Sequence, residues 1–183
     1  TFTSDLEKSL KDLSANIVKG VKEEGVKIVI LDDRSLAPEN KLIPMALVVG
    51  YVNQKLLSEG VRHKVSMLAV TGEVYDPHMA AVLIGFGVTA IYPYMMYSSI
   101  VSLYERRDLS KYELQDRLKN SQKAINGGLL KIMSKMGIAT IASYRNSALF
   151  DVVGLNDSIV EDCFSASHSD LSGLTYEDIE ERI

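Results

Sequence analysis

Tryptophan is absent from these 183 residues, and cysteine occurs once, at Cys163. A lone thiol forms no internal disulfide, and by itself it cannot hold an iron–sulfur cluster, which takes several thiolates. A reducing, cytoplasmic setting is therefore expected. Long hydrophobic runs are missing too: the apolar stretches fall well short of the roughly 20 residues that a membrane-spanning helix needs. An excess of charge of one sign is lacking as well, with 20 basic and 24 acidic residues. A net charge of -4, with no block of like charges, argues against a surface that tracks nucleic-acid phosphates. No basic stretch leads into an apolar one at the start, so no secretory signal is read there. The first residue is Thr1 rather than Met, which reads as an excised or processed fragment. An N-terminal threonine can act as a nucleophile with its own amine as base, but a chain boundary is the simpler reading of Thr1.

What is present is ordinary for a globular protein: 46% hydrophobic and 24% charged residues. The length suits a single α/β domain over 1–183. No internal repeat or low-complexity segment breaks it. Ser4 and Glu7 form a capping-box pattern, and Leu6, Leu10, Leu13, Ile17 and Val21 follow at helical spacing up to Gly25. A buried strand is expected over 26–31, then a polar loop over 32–41. Pro44 suits the first turn of a helix that stops at Gly60. A strand over 65–70 precedes a helix capped by Asp76, opened by Pro77 and ending near Gly85. Residues 88–91 read as a third strand, followed by helices over 94–105 and 110–135. Gly137 breaks the second of these, and residues 138–142 read as a fourth strand. A helix over 144–153 ending at Gly154 and smaller helices over 157–163 and 175–183 complete the expectation.

Strands that alternate with helices call for a parallel sheet with right-handed crossovers and strands buried on both faces. The expected architecture is a four-stranded parallel sheet with flanking helices, a partial, half TIM-barrel-like arrangement. A closed barrel has eight such units and about 250 residues.

Three motifs invite chemistry and have plainer readings. Gly85-Phe86-Gly87-Val88-Thr89-Ala90 matches a dinucleotide fingerprint in letters, but that chemistry needs strand, glycines, helix, and here the order is helix, glycines, strand. A tight turn is the better reading. His63, His78 and His168 have no metal-ligating partner three or four residues away, so no helical metal face is expected. Met95, Met96, Met133 and Met136 read as gap-fillers in an apolar core.

Several stretches together resemble the large subunit of the glutamate synthases. They are Leu31-Asp32-Asp33-Arg34, Ile43-Pro44 through Gly60-Val61-Arg62, Thr71-Gly72-Glu73, and the run from Gly85 to Tyr94. Lys123-Ala124 through Gly127-Gly128-Leu129-Leu130-Lys131 and Met133 through Thr140 continue it, followed by Ser143-Tyr144-Arg145, Phe150 and Val153-Gly154-Leu155. The likeness runs along nearly the whole chain, in the family's order. It implies the C-terminal part of the family's central domain, a domain without flavin that joins a glutamine amidotransferase domain to an FMN-binding domain. In such a parent, ammonia released from glutamine travels internally to the flavin domain. There 2-oxoglutarate is aminated and the imine is reduced on FMN beside an iron–sulfur cluster, so no cofactor is expected in this stretch itself. The chain departs from the family at Asp32, where a serine is usual, near Asn53 and at Met79, where histidines are usual, and at Ala166-Ser167-His168-Ser169-Asp170, where the family has Gly-Thr-x-Ser-Arg.

The residues just after the expected strands form the one constellation worth testing. Asp33 and Arg34 follow the first strand, Glu73 the second, Tyr92 and Tyr94 the third, and Ser143, Tyr144 and Arg145 the fourth. Barrel enzymes place their chemistry on that edge. The same mixture also suits a polar network that caps a sheet or meets a partner, which is the reading taken for Asp33, Arg34, Glu73, Tyr94, Ser143 and Arg145. The rival is an autonomous barrel-like enzyme that binds flavin or phosphate. An open sheet also leaves edge groups unpaired, so both ends are expected to be contact surfaces, through dimerisation or a helix packed over each edge, with the amidotransferase and FMN-binding domains of the parent as further partners.

Overall fold

The computed structural model describes residues 5–34, 41–106 and 113–183. Thr1, Ser4, the loop residues 35–40 and the expected helix start at Ser110 lie outside the described residues. The first helix, α1 (Leu6–Glu23), is capped by Asp5, whose carboxylate accepts from the Lys8 backbone N–H at 2.8 Å. Leu6, Leu10, Ser14, Val18 and Val21 form its buried stripe, with Leu13 and Ile17 packed beside it.

Strand β1 (Ile28–Asp32), helix α2 (Met45–Ser58), strand β2 (Ser66–Val70), helix α3 (Pro77–Gly85) and strand β3 (Ala90–Tyr92) follow in order. A short 3-10 turn, Arg62–Lys64, lies between α2 and β2. The strands pair in parallel as β1-β2-β3, with Val29 opposite Met67 and Leu31 opposite Ala69. Those four side chains are buried in one apolar cluster with Leu47, Val48, Val52 and Leu56 of α2. Helix α2 is apolar nearly all round, which suits its place between α1 and α7 (Asp157–Phe164).

The opposite face of the sheet is not covered in the way the sequence suggests. Ile28 and Ile30 are 59% and 57% exposed, and Tyr92, in register with Val70, is 50% exposed. Successive crossovers of one hand send α2 and α3 to the same side of a sheet ordered 1-2-3, which leaves the other side open among the described residues.

The second half departs further. Helices α4 (Tyr94–Glu105) and α5 (Leu114–Lys135) form as expected, but residues 138–142 form no strand. After α5 the chain turns at Gly137, and the Ile138 N–H bonds back to the Met133 carbonyl at 3.0 Å. Ile138 packs into a small second core made by Ala81, Ile84, Met133 and Tyr144. Thr140 then caps a single helical turn, α6 (Ile141–Tyr144), its hydroxyl accepting from the Ser143 N–H. The apolar signal is satisfied by packing, and the threonine hydroxyl starts a helix instead of joining a ladder.

The helix expected over 144–153 is absent as well. Asn146 and Ala148 both have left-handed backbone, with φ of 58° and 52°. Phe150 turns inward against Phe86, Tyr144 and Gly85. Two strands not expected from the sequence follow, β4 (Val153–Leu155) and β5 (Leu171–Leu174), while α7 and α8 (Tyr176–Arg182) form where the smaller helices were expected. The two strands make a separate parallel pair. Among the described residues the fold is thus α/β with parallel sheets of three and two strands, not the single four-stranded, half-barrel sheet expected. Of the methionines expected in the core, Met133 is buried, whereas Met95 and Met136 are 51% and 52% exposed. Among the described residues no helix is long and apolar enough to cross a membrane.

Candidate interface at the strand ends

Asp33 is the centre of the edge where the three paired strands end. Its backbone N–H continues the ladder to the Val70 carbonyl, which draws the side chain under the β2 loop. The residue is 6% exposed, and its carboxylate accepts from the Thr71 hydroxyl at 2.6 Å and from the Gly72 N–H at 3.1 Å. The Tyr94 side chain lies nearby, and burial, then the Asp33 carboxylate, raises its pKa. The fit at Gly72 is tight: a Cβ there would stand 3.1 Å from the Tyr94 hydroxyl oxygen, which would have to shift by a few tenths of an ångström.

Glu73 serves a different element. Helix α2 opens on Pro44, which offers no side-chain cap, and both Glu73 carboxylate oxygens accept from the Met45 N–H at 3.0 and 3.1 Å. A negative charge at a helix N-terminus is favourable, so Glu73 caps α2 from outside its own segment. Burial and then the nearby charge of Asp33 push its pKa above the ordinary value of 4.5, while the Met45 N–H pulls the other way.

That shift fixes the sign of a pH dependence. The folded state holds the Glu73 proton more tightly than the unfolded state, so its contribution is fullest below pH 4.5 and is lost as pH rises through the raised folded value. The unfolding free energy of the wild type minus that of Glu73→Gln is therefore expected to fall with pH from about 4.5 upward. Solvent reaches the outer part of Glu73, which keeps the effect small. Glu59, held down to about 2 by Lys22 and Lys55, works in the opposite sense at lower pH and cancels in the difference. A pH-independent difference between denaturant melts would exclude this role for Glu73.

Arg34 lies outermost. Its guanidinium grips Asp32, with Nη2 to Oδ2 at 2.6 Å and Nε to Oδ1 at 3.0 Å, and this lowers the Asp32 pKa. Both partners are open to solvent, so the pair orients the arginine more than it stabilises the fold. Arg34, Tyr92, Tyr94 and Tyr97 line a wide cleft of about 750 Å³ against α4 and α5.

Four expected residues, Asp33, Arg34, Glu73 and Tyr94, thus meet on one rim. Ser143 and Arg145 do not join them. Ser143 sits in the α6 turn beside Thr140, and the Arg145 Nη1 donates to Thr89 Oγ1 at 3.3 Å, just ahead of β3 and hence at the opposite edge. Their expected place depended on the strand that does not form. Sequence reading also passed over Asn53, Arg62 and Asn146, which gather at that opposite edge. Among the described residues no group of His, Cys, Asp and Glu is placed to hold a metal ion.

A family model described as the glutamate synthase central domain matches residues 1–156. The glutamate synthase [NADPH] large chain of Bacillus subtilis is 36% identical over 182 residues, covering 98% of this chain and 12% of that protein. The ferredoxin-dependent glutamate synthase 1 of Arabidopsis thaliana is 34% identical over 85% of the chain and 10% of its own length. The glutamate synthase [NADH] of Saccharomyces cerevisiae is 32% identical over 96% of the chain and 8% of its own length. The chain therefore spans about a tenth of these relatives. It belongs to the glutamate synthase central domain family.

Proposed function

We propose that this chain is a non-catalytic joining domain, holding the glutamine amidotransferase domain of a glutamate synthase against the FMN-binding domain of the same parent. The parent makes L-glutamate from glutamine and 2-oxoglutarate, and its ammonia passes between those two domains.

The observation that carries this reading is what the strand-end carboxylates do. Asp33 binds Thr71 and Gly72, and Glu73 binds the start of α2, so both acids organise this fold. The open sheet face supports it further. Exposed Ile28, Ile30 and Tyr92 make the kind of apolar surface that another part of a larger protein covers.

FMN and the iron–sulfur cluster are assigned to another domain of the parent, and the residues here do not fit either group. Cys163 is buried beside Tyr176, with its thiol pushed up to about 12, and a single thiol does not make a cluster site. The glycine turn at residues 85–87 is filled from within. The Gly85 hollow takes Phe150 and the Gly87 hollow takes Asn53, which leaves a phosphate no cradle there.

The purified chain is expected to form no glutamate from glutamine, nor from 2-oxoglutarate with ammonia and an electron donor. Product above a buffer blank in either assay would sink the proposal. In the parent protein, Arg34→Ala with Tyr92→Ala is expected to lower the glutamate formed per glutamine hydrolysed while leaving ammonia-dependent synthesis intact. Unchanged coupling would remove this rim from the interface.

A further inference from the structure

At the edge where the strands begin, two arginines share one hollow. It measures about 370 Å³ and is lined by Arg62, His63, Arg145 and Asn146, with Leu57 and Ala142 among its walls. Arg62 is held rigidly. Its Nε donates to Asn53 Oδ1 at 2.7 Å, Nη1 to the Val65 carbonyl at 2.7 Å and Nη2 to the Gly87 carbonyl at 2.6 Å. All three acceptors are neutral, so the guanidinium is well bonded and its charge is unanswered.

Arg145 brings a second positive charge to the same place. Its Nη1 donates to Thr89, and its buried Nε has no hydrogen-bond partner. The next residue anchors it. The Asn146 N–H donates to the Gly85 carbonyl at 2.8 Å, and the Asn146 side chain accepts from Asn53 Nδ2 at 2.7 Å. Asn53 therefore ties both arginine-bearing segments together. Among the described residues neither arginine enters an ion pair. Burial, then repulsion from Arg145, lowers the pKa of Arg62. Two guanidinium groups fixed close together and partly out of water are unfavourable without an anion between them. Their planar forks match the paired oxygens of carboxylate and phosphate.

We propose that the hollow between Arg62 and Arg145 is an oxyanion site that takes a carboxylate or phosphate group. Two sources supply that chemistry: a small free anion, or an acidic side chain from elsewhere in the parent protein.

Inorganic phosphate and acetate are titrated into the 183-residue chain by calorimetry, at an ionic strength held constant with chloride. Phosphate is expected to bind saturably, and Arg145→Gln to weaken it by at least about tenfold. Arg145→Lys, which keeps the charge and loses the fork, is expected to fall between them and serves if the glutamine variant does not fold. Circular dichroism checks each fold. Equal binding by folded wild type and variant, or none by folded wild type, overturns the site. A crystal structure of the parent grown in phosphate separates the sources. Phosphate touching both guanidinium groups identifies a free anion, and a carboxylate oxygen there identifies the internal partner. Water alone between them overturns the proposal.

Discussion

Replacing Asp33 with alanine is expected to remove about 3 kcal/mol of unfolding free energy in a denaturant melt. The residue is 6% exposed, and Thr71, its closest partner, is fully buried. Truncation leaves the Thr71 hydroxyl and the Gly72 N–H without their acceptor. Each buried donor stranded this way costs about 1–3 kcal/mol, whereas a solvated one costs little. Tyr94, half-buried, is free to face water and adds little. Asp33→Asn keeps one acceptor oxygen and the shape of the side chain, so it should lose less than half as much. A loss under about 1 kcal/mol for the alanine variant would mean that water already satisfies these groups, and the rim would no longer be a rigid platform.

Asp33, Glu73 and Tyr94 were legible because they follow strands whose signals are local. The apolar runs of β1 and β2 are bounded by strong punctuation: Gly25 before the first, Gly60 before the second, and Asp76-Pro77 opening the next helix. Each signal acts within a turn or two of the backbone, so one sequence suffices to see it. Residues 138–142 carry the same apolar letters, but what becomes of them depends on packing against α3 and α5, and that packing won. β5 was hidden for the opposite reason, since Ser172 and Gly173 give it almost no strand pattern. Arg62 escaped notice because its partners Asn53 and Gly87 lie 9 and 25 residues away, and only the closed fold brings them together. The edge where strands end can be read from sequence once the strands are found. The edge where they begin is assembled by loops, and there the sequence is nearly silent.

The second large effect is expected from Gly50→Ala, a net loss of about 2 kcal/mol. On helix propensity alone the substitution is favourable by about 1 kcal/mol, since Gly50 lies inside α2. Contact with α7 reverses the sign. A Cβ at Gly50 would lie 2.4 Å from the Cys163 carbonyl oxygen and 3.0 Å from Phe164. The first of these is backbone and cannot swing aside, so α7 must move as a body. That movement loosens Ile159, Val160 and Cys163 in the core and disturbs Phe164 against Phe86, whose rings lie 4.6 Å apart. Overpacking of this kind costs about 1–3 kcal/mol, and the upper end applies where backbone is the obstacle. For a chain of this length the melting temperature should fall by roughly 4–8 °C. Gly127→Ala supplies the control, because Gly127 lies inside α5 with nothing near its missing Cβ. There the same chemical change should raise stability by about 1 kcal/mol. If both variants shift the melting temperature upward, α2 and α7 do not touch as closely as described, and the packing that holds the strand-end rim in place is looser than the contacts imply.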